Sequence, residues 1–195
     1  IDIDKPYTQI LLENKNYIID NIDKELFEDF SEDLVNETMN EATEKKSKAI
    51  VEKIISIIPF VVDDENPDME MLGDIVWSIY YKGSEQFDAF VDHMNSKADS
   101  EEGRAAIYLQ EATIIYEDAI YAENFSDKLL EFGLELMGKY KSVEGEDFNY
   151  HITNTYLYYL LADNENARIS AQKSLETARD ETEKVWANEM IDIIQ

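Results

Sequence analysis

Between residues 147 and 179 the chain spaces its apolar side chains for helices. Ile152, Tyr156, Tyr159 and Leu160 recur at steps of three and four, which puts them on one face of a helix. After the polar break Asp163-Asn164, small residues at Ala167, Ala171 and Ser174 repeat the device beside Leu175. Small side chains at that spacing let a second helix approach closely. The segment therefore predicts an antiparallel helical hairpin with a corner of roughly two or three residues. No segment of the chain shows the strict alternation of a half-buried strand, so the expected class is all-α. Roughly nine or ten helices are expected, stacked as antiparallel hairpins.

The length of 195 residues and the lack of a long linker predict a single domain over 1–195, with a subdivision into 1–62 and 63–195 as the alternative. Apolar residues make up 44% of the chain and are spread throughout, so a sizeable core can form and disorder is not expected. The formal net charge of -27 divides as -12 over 1–73, -9 over 74–145 and -6 over 146–195, so the acidity is global and densest at the start. Such a surface repels phosphate backbones and anionic lipid, which argues against direct nucleic-acid or membrane partners. Without cysteine there is neither disulfide nor thiolate chemistry, which permits the cytoplasm. The longest apolar run, residues 54–62, contains Ser56 and Pro59 and is too short to span a bilayer. Acidic residues follow Ile1 where a signal peptide would carry positive charge, so none is expected and the expected location is cytoplasmic.

In chain order, residues 7–19 and 22–30 read as helices, and Ser31 reads as the cap of a long helix reaching Ile58, stopped by Pro59. Asn66-Pro67 predicts the start of a helix that ends near Gly83, and Ser84 a cap for the next. A long helix follows Arg104, another follows Ser126, and residues 182–194 close the fold. Trp77, Tyr80 and Tyr81 on successive turns read as core.

Catalytic signatures fail one by one. A nucleophile elbow needs Gly-x-Ser-x-Gly, and the six glycines never fall in that frame. Phosphate-cradling loops need clustered glycines before a helix, whereas Gly133 and Gly138 sit inside a helical pattern. A di-iron bundle needs Glu-x-x-His, but Phe90 and Phe148 stand three before His93 and His151. The acidic loop from Asp63 lacks the glycine that a calcium loop needs at its sixth position, where Asp68 stands. No metal, cofactor or enzymatic activity is expected. His151, beside Tyr150, reads as a surface or partly packed histidine.

The segment from Ala162 to Ala167, with Ala171, Ser174 and Leu175, resembles the corner and second helix of a tetratricopeptide repeat. Ala162 stands where glycine is usual, Ser174 where alanine is usual, and no proline closes the unit near Arg179. In composition and class the whole chain is similar to acidic all-α bacterial immunity proteins. That resemblance implies an antitoxin whose carboxylates occupy the basic face of a cognate toxin, such as a nuclease. The candidate contacts are Asp63, Asp64, Glu65, Asp68, Glu101, Glu102, Glu144, Glu146 and Asp147, because loops present charge without helical constraint, together with Tyr158. The alternative is a repeat-type scaffold that holds a peptide in a groove built with Asn149, Asn154 and Tyr158. A third is a mimic of nucleic acid, with carboxylates spaced like phosphates.

Overall fold

The computed structural model describes residues 3–62, 68–122 and 125–194. All regular structure among them is helical, in eleven helices with no strand. The chain clusters into two compact units, Ile1–Phe90 and Val91–Gln195.

The first unit opens with α1 (Pro6–Glu13) and α2 (Lys15–Asn21), where one helix was expected. Asn14 divides them, its amide donating to the Ile10 carbonyl at 2.7 Å. Next come α3 (Lys24–Glu44), α4 (Lys48–Val61) and α5 (Met69–Gly83). Leu12, Ile18, Phe27, Leu34 and Ile57 join in one core cluster, which packs α1 to α4 together.

Three expectations about α3 and α4 are overturned. Asp23, not Ser31, caps α3 by accepting from the Leu26 amide at 3.2 Å; Ser31 lies inside that helix. The long helix to Ile58 is instead two, because Lys46 takes a left-handed conformation with φ +49°. The Ser47 amide then reaches the Ala42 carbonyl and the Lys46 amide the Thr43 carbonyl, a closure that satisfies the last carbonyls of α3. Finally, Pro59 does not stop α4, which runs on to Val61. A proline this near the end forfeits one hydrogen bond, and the Val62 amide still closes the last turn on Ile58 at 3.0 Å.

The start expected at Asn66-Pro67 lies outside the described residues, and Asp68 caps α5 through the Met71 amide. The end of α5 repeats the closure of α3, with Glu85 at φ +57° and bonds from Gln86 to Tyr81 and from Glu85 to Lys82. Gly83 has a different use from the stop expected of it: a Cβ there would meet Thr43 at 3.0 Å, so glycine lets α5 approach α3. Tyr80 is fully buried and Tyr81 nearly so, as expected of core aromatics, and Trp77 stacks on Tyr81 at 5.5 Å. The hydroxyl of Ser84 turns back to the Tyr80 carbonyl instead of capping a helix.

After α6 (Phe87–Lys97), the second unit contains α7 (Glu101–Tyr121), α8 (Asp127–Glu144), α9 (Phe148–Leu160), α10 (Asn164–Thr177) and α11 (Glu181–Ile194). Helices 7, 8 and 9 meet at Gly133, where a Cβ would lie 2.8 Å from Leu157 and 3.5 Å from Ile115. The hairpin α9–α10 forms where the spacing placed it. Ala167, Ala171 and Ser174 are fully buried, and Phe148 and Ile152 of α9 share a core with Ala187 and Met190 of α11. Its corner closes on Ala162, the third residue in the left-handed region that is not glycine. Trp186 donates to the Tyr156 hydroxyl at 2.6 Å, and Tyr156 stacks on Tyr116 at 4.6 Å.

Candidate functional site

The turn from α8 to α9 gathers the densest chemistry in the second unit. Gly145, at φ +85°, lets the chain reverse once its amide has donated to the Lys141 carbonyl at 2.9 Å. Asp147 then caps α9, accepting from the Tyr150 amide and from the Tyr140 hydroxyl, both at 2.9 Å. Burial first, and this bond second, push the Tyr140 hydroxyl up to about 12.

Glu146 stands between these fixed points and faces three cationic or titratable partners. Lys141 donates to it, the Lys173 ammonium of α10 lies 3.6 Å away, and His151 Nε2 lies 3.7 Å away. The Lys141 hydrogen bond leads in holding the Glu146 carboxyl below its ordinary range. Lys141 also sits over the Tyr150 ring at 5.5 Å, and that ring meets His151 edge to face at 5.0 Å. His151 is only 4% exposed, which corrects the expectation of a surface or partly packed residue. Burial lowers its pKa, and the Glu146 charge partly opposes that shift. Tyr158 is half-buried, and its hydroxyl is raised first by burial and then by Tyr150.

These contacts define what the turn can do. His151 is buried and favoured as the neutral ring. Glu146 is neutralised by lysines and Asp147 is used as a cap. The group ties α8, α9 and α10 together and is suited to holding shape.

The remaining candidate residues divide among separate places. Asp63, Asp64 and Glu65 lie outside the described residues. Asp68 is the exposed cap of α5, in the first unit. Glu101 and Glu102 form the exposed first turn of α7 behind the Ser100 cap. Glu144 is exposed at the end of α8. Adjacent helices joined by a short connection run antiparallel, so the start of α7 and the end of α8 share one end of their hairpin. Glu101, Glu102 and Glu144 are therefore brought to the same end as Glu146 and Asp147, although only the latter two are committed to internal contacts. Of the residues assigned to a groove, Asn154 is buried, while Asn149 and Tyr158 are half-buried.

Sequence reasoning missed Lys141, Lys173 and the burial of His151. Their grouping depends on how α10 packs, and no local spacing announces it. No group of three or more His, Cys, Asp or Glu residues is placed to hold a metal ion among the described residues. No described helix is long and apolar enough to cross a membrane. No protein-family model, curated protein or solved structure matches the chain.

Proposed function

We propose that this protein is a non-catalytic binder that captures a basic protein, in the manner of an immunity protein or antitoxin that blocks a toxin by charge and by bulk. The observation that carries the reading is the end of the α7–α8 hairpin, where Glu101, Glu102 and Glu144 are exposed beside a turn already braced by Lys141 and Lys173. A braced acidic end can meet a partner without first ordering itself, which reduces the entropic cost of binding. Its field is reinforced by the rest of the chain: the units carry -14 and -13. Such fields raise association rates and reject acidic partners. Asp63, Asp64, Glu65 and Asp68 extend the same reading to the first unit on charge alone.

The test is capture of partners from source-cell lysate on immobilised protein, at low and at high salt. The expected result is one strongly basic protein that elutes with salt and whose toxic activity is abolished by adding the binder back. With that partner, reversing Glu101, Glu102 and Glu144 to lysine slows association by about tenfold or more. Partners retained regardless of salt, or an unchanged association rate, would sink the reading.

A repeat-type scaffold is the second reading, favoured by the close α9–α10 hairpin with its buried Ala167, Ala171 and Ser174. It predicts that Tyr158→Ala weakens binding while the triple reversal does not.

A further inference from the structure

One carboxylate oxygen in the α8–α9 turn faces two cationic groups at once. Lys141 of α8 holds Oε1 of Glu146 by a hydrogen bond. Oε2 faces the Lys173 ammonium of α10 at 3.6 Å and Nε2 of His151, in α9, at 3.7 Å, both just beyond hydrogen-bond distance. The three side chains differ in their freedom to move. Those of Glu146 and Lys173 are 38% and 47% exposed, whereas the His151 ring is buried and meets Tyr150 edge to face.

A neutral imidazole leaves Oε2 to Lys173. An imidazolium changes the balance, because both ring nitrogens become donors and the added charge attracts Oε2 and repels the ammonium. Two full cations at one oxygen repel each other, and of the two only Lys173 has water to move into. Asp147 adds attraction and Lys141 adds repulsion; together with Glu146 and Lys173 they are the charges that act on the ring. Burial opposes protonation most strongly, so the ring changes state below its ordinary 6.5. Glu146 stays ionised through that range, since the Lys141 hydrogen bond holds its carboxyl below the ordinary 4.5.

We infer that the α8–α9 turn carries a proton-operated brace: when His151 takes a proton, Glu146 Oε2 closes on His151 Nε2 and Lys173 is released. The turn then lets go of α10 while Lys141 still ties it to α8. The exchange moves one proton onto the ring and breaks no covalent bond, and it does not depend on what the protein binds.

The experiment is an NMR titration of the isotopically labelled full chain from pH 7.5 to pH 5.0. It is read at the His151 ring, the Glu146 carboxyl carbon, the Lys173 ε-methylene and the amide protection of residues 170–177, corrected for the intrinsic pH dependence of exchange. All four are expected to change with one midpoint below 6.5, and protection to fall by about two- to fivefold. Lys173→Met is expected to raise the His151 midpoint and to make protection independent of pH in this range. Glu146→Gln is expected to lower that midpoint and to abolish the Lys173 response. Both replaced side chains are partly exposed, so the fold is retained in either variant. A ring still neutral at pH 5.0, a Lys173 signal that does not follow the His151 midpoint, or a midpoint unmoved in Lys173→Met would overturn the brace. Loss of all native signals together would overturn it as well, because the exchange takes place within the folded chain.

Discussion

His151 takes a titratable ring into a place that disfavours its charged form, and the sign of the consequence follows. Its folded pKa lies below the ordinary 6.5, so the unfolded chain binds the proton more readily. Wild-type stability is unaffected by this group above about pH 6.5 and falls as pH drops through that value toward the folded one. Acid also relieves self-repulsion in a protein with a pI near 4.2, which works in the opposite direction. The readout is therefore the difference in urea midpoint between wild type and His151→Gln, which is expected to shift against the wild type between pH 7.5 and pH 5.5. Glu146 acts in a lower window: its depressed pKa contributes stability above about 4.5 that is lost as pH falls further. Ser31 and Ala162 allow two simpler measurements. Removing the unpartnered Ser31 hydroxyl as Ser31→Ala should stabilise by about 1 kcal/mol. Ala162 sits at φ +57°, where a Cβ costs about 1–2 kcal/mol, so Ala162→Gly should gain about 0.5–1 kcal/mol after glycine's own entropy is deducted. Denaturant unfolding checks both, and a loss in either variant would contradict the assigned cause.

At the level of helices, two glycines of α8 make opposite demands. Gly138 is exposed with nothing near its missing Cβ, so Gly138→Ala should add about 1 kcal/mol through helix propensity. Gly133→Ala should gain less or lose, because its methyl would press on the fully buried Leu157. Comparing their melting temperatures tests whether Gly133 marks the approach of three helices. The same contrast explains what the sequence made legible. The α9–α10 hairpin could be read because its apolar and small residues repeat over many turns. The division of α3 from α4 could not, because Lys46 ends a helix in a conformation that sequence rules reserve for glycine or asparagine. Gly83 misled for the complementary reason, serving closeness to Thr43 while Glu85 made the turn. Ser31 and Ser84 look like caps in sequence, yet tertiary packing buries both. At the candidate site, Asp147 was legible as a turn residue. The partners of Glu146 were not, since Lys173 arrives on a different helix.

Across the whole molecule, charge is the dominant unspent term. Forty-four acidic residues against 17 basic ones leave both units strongly negative, and pairs such as Lys45–Glu41 and Lys184–Glu181 offset little of it. Raising salt from about 10 mM to about 1 M shortens the screening length from about 30 Å to about 3 Å. The melting temperature should therefore rise by several degrees over that range. A flat or falling curve would mean that local ion pairs, not long-range repulsion, govern stability. The two tryptophans add an optical consequence, since Trp77 stacks on a tyrosine in one unit and Trp186 hydrogen-bonds to a tyrosine in the other. Each unit thus holds its own fluorophore. Replacing either with phenylalanine leaves tryptophan emission, excited selectively over tyrosine, from one unit alone, and the two unfolding curves will superimpose only where both halves of the chain melt as one.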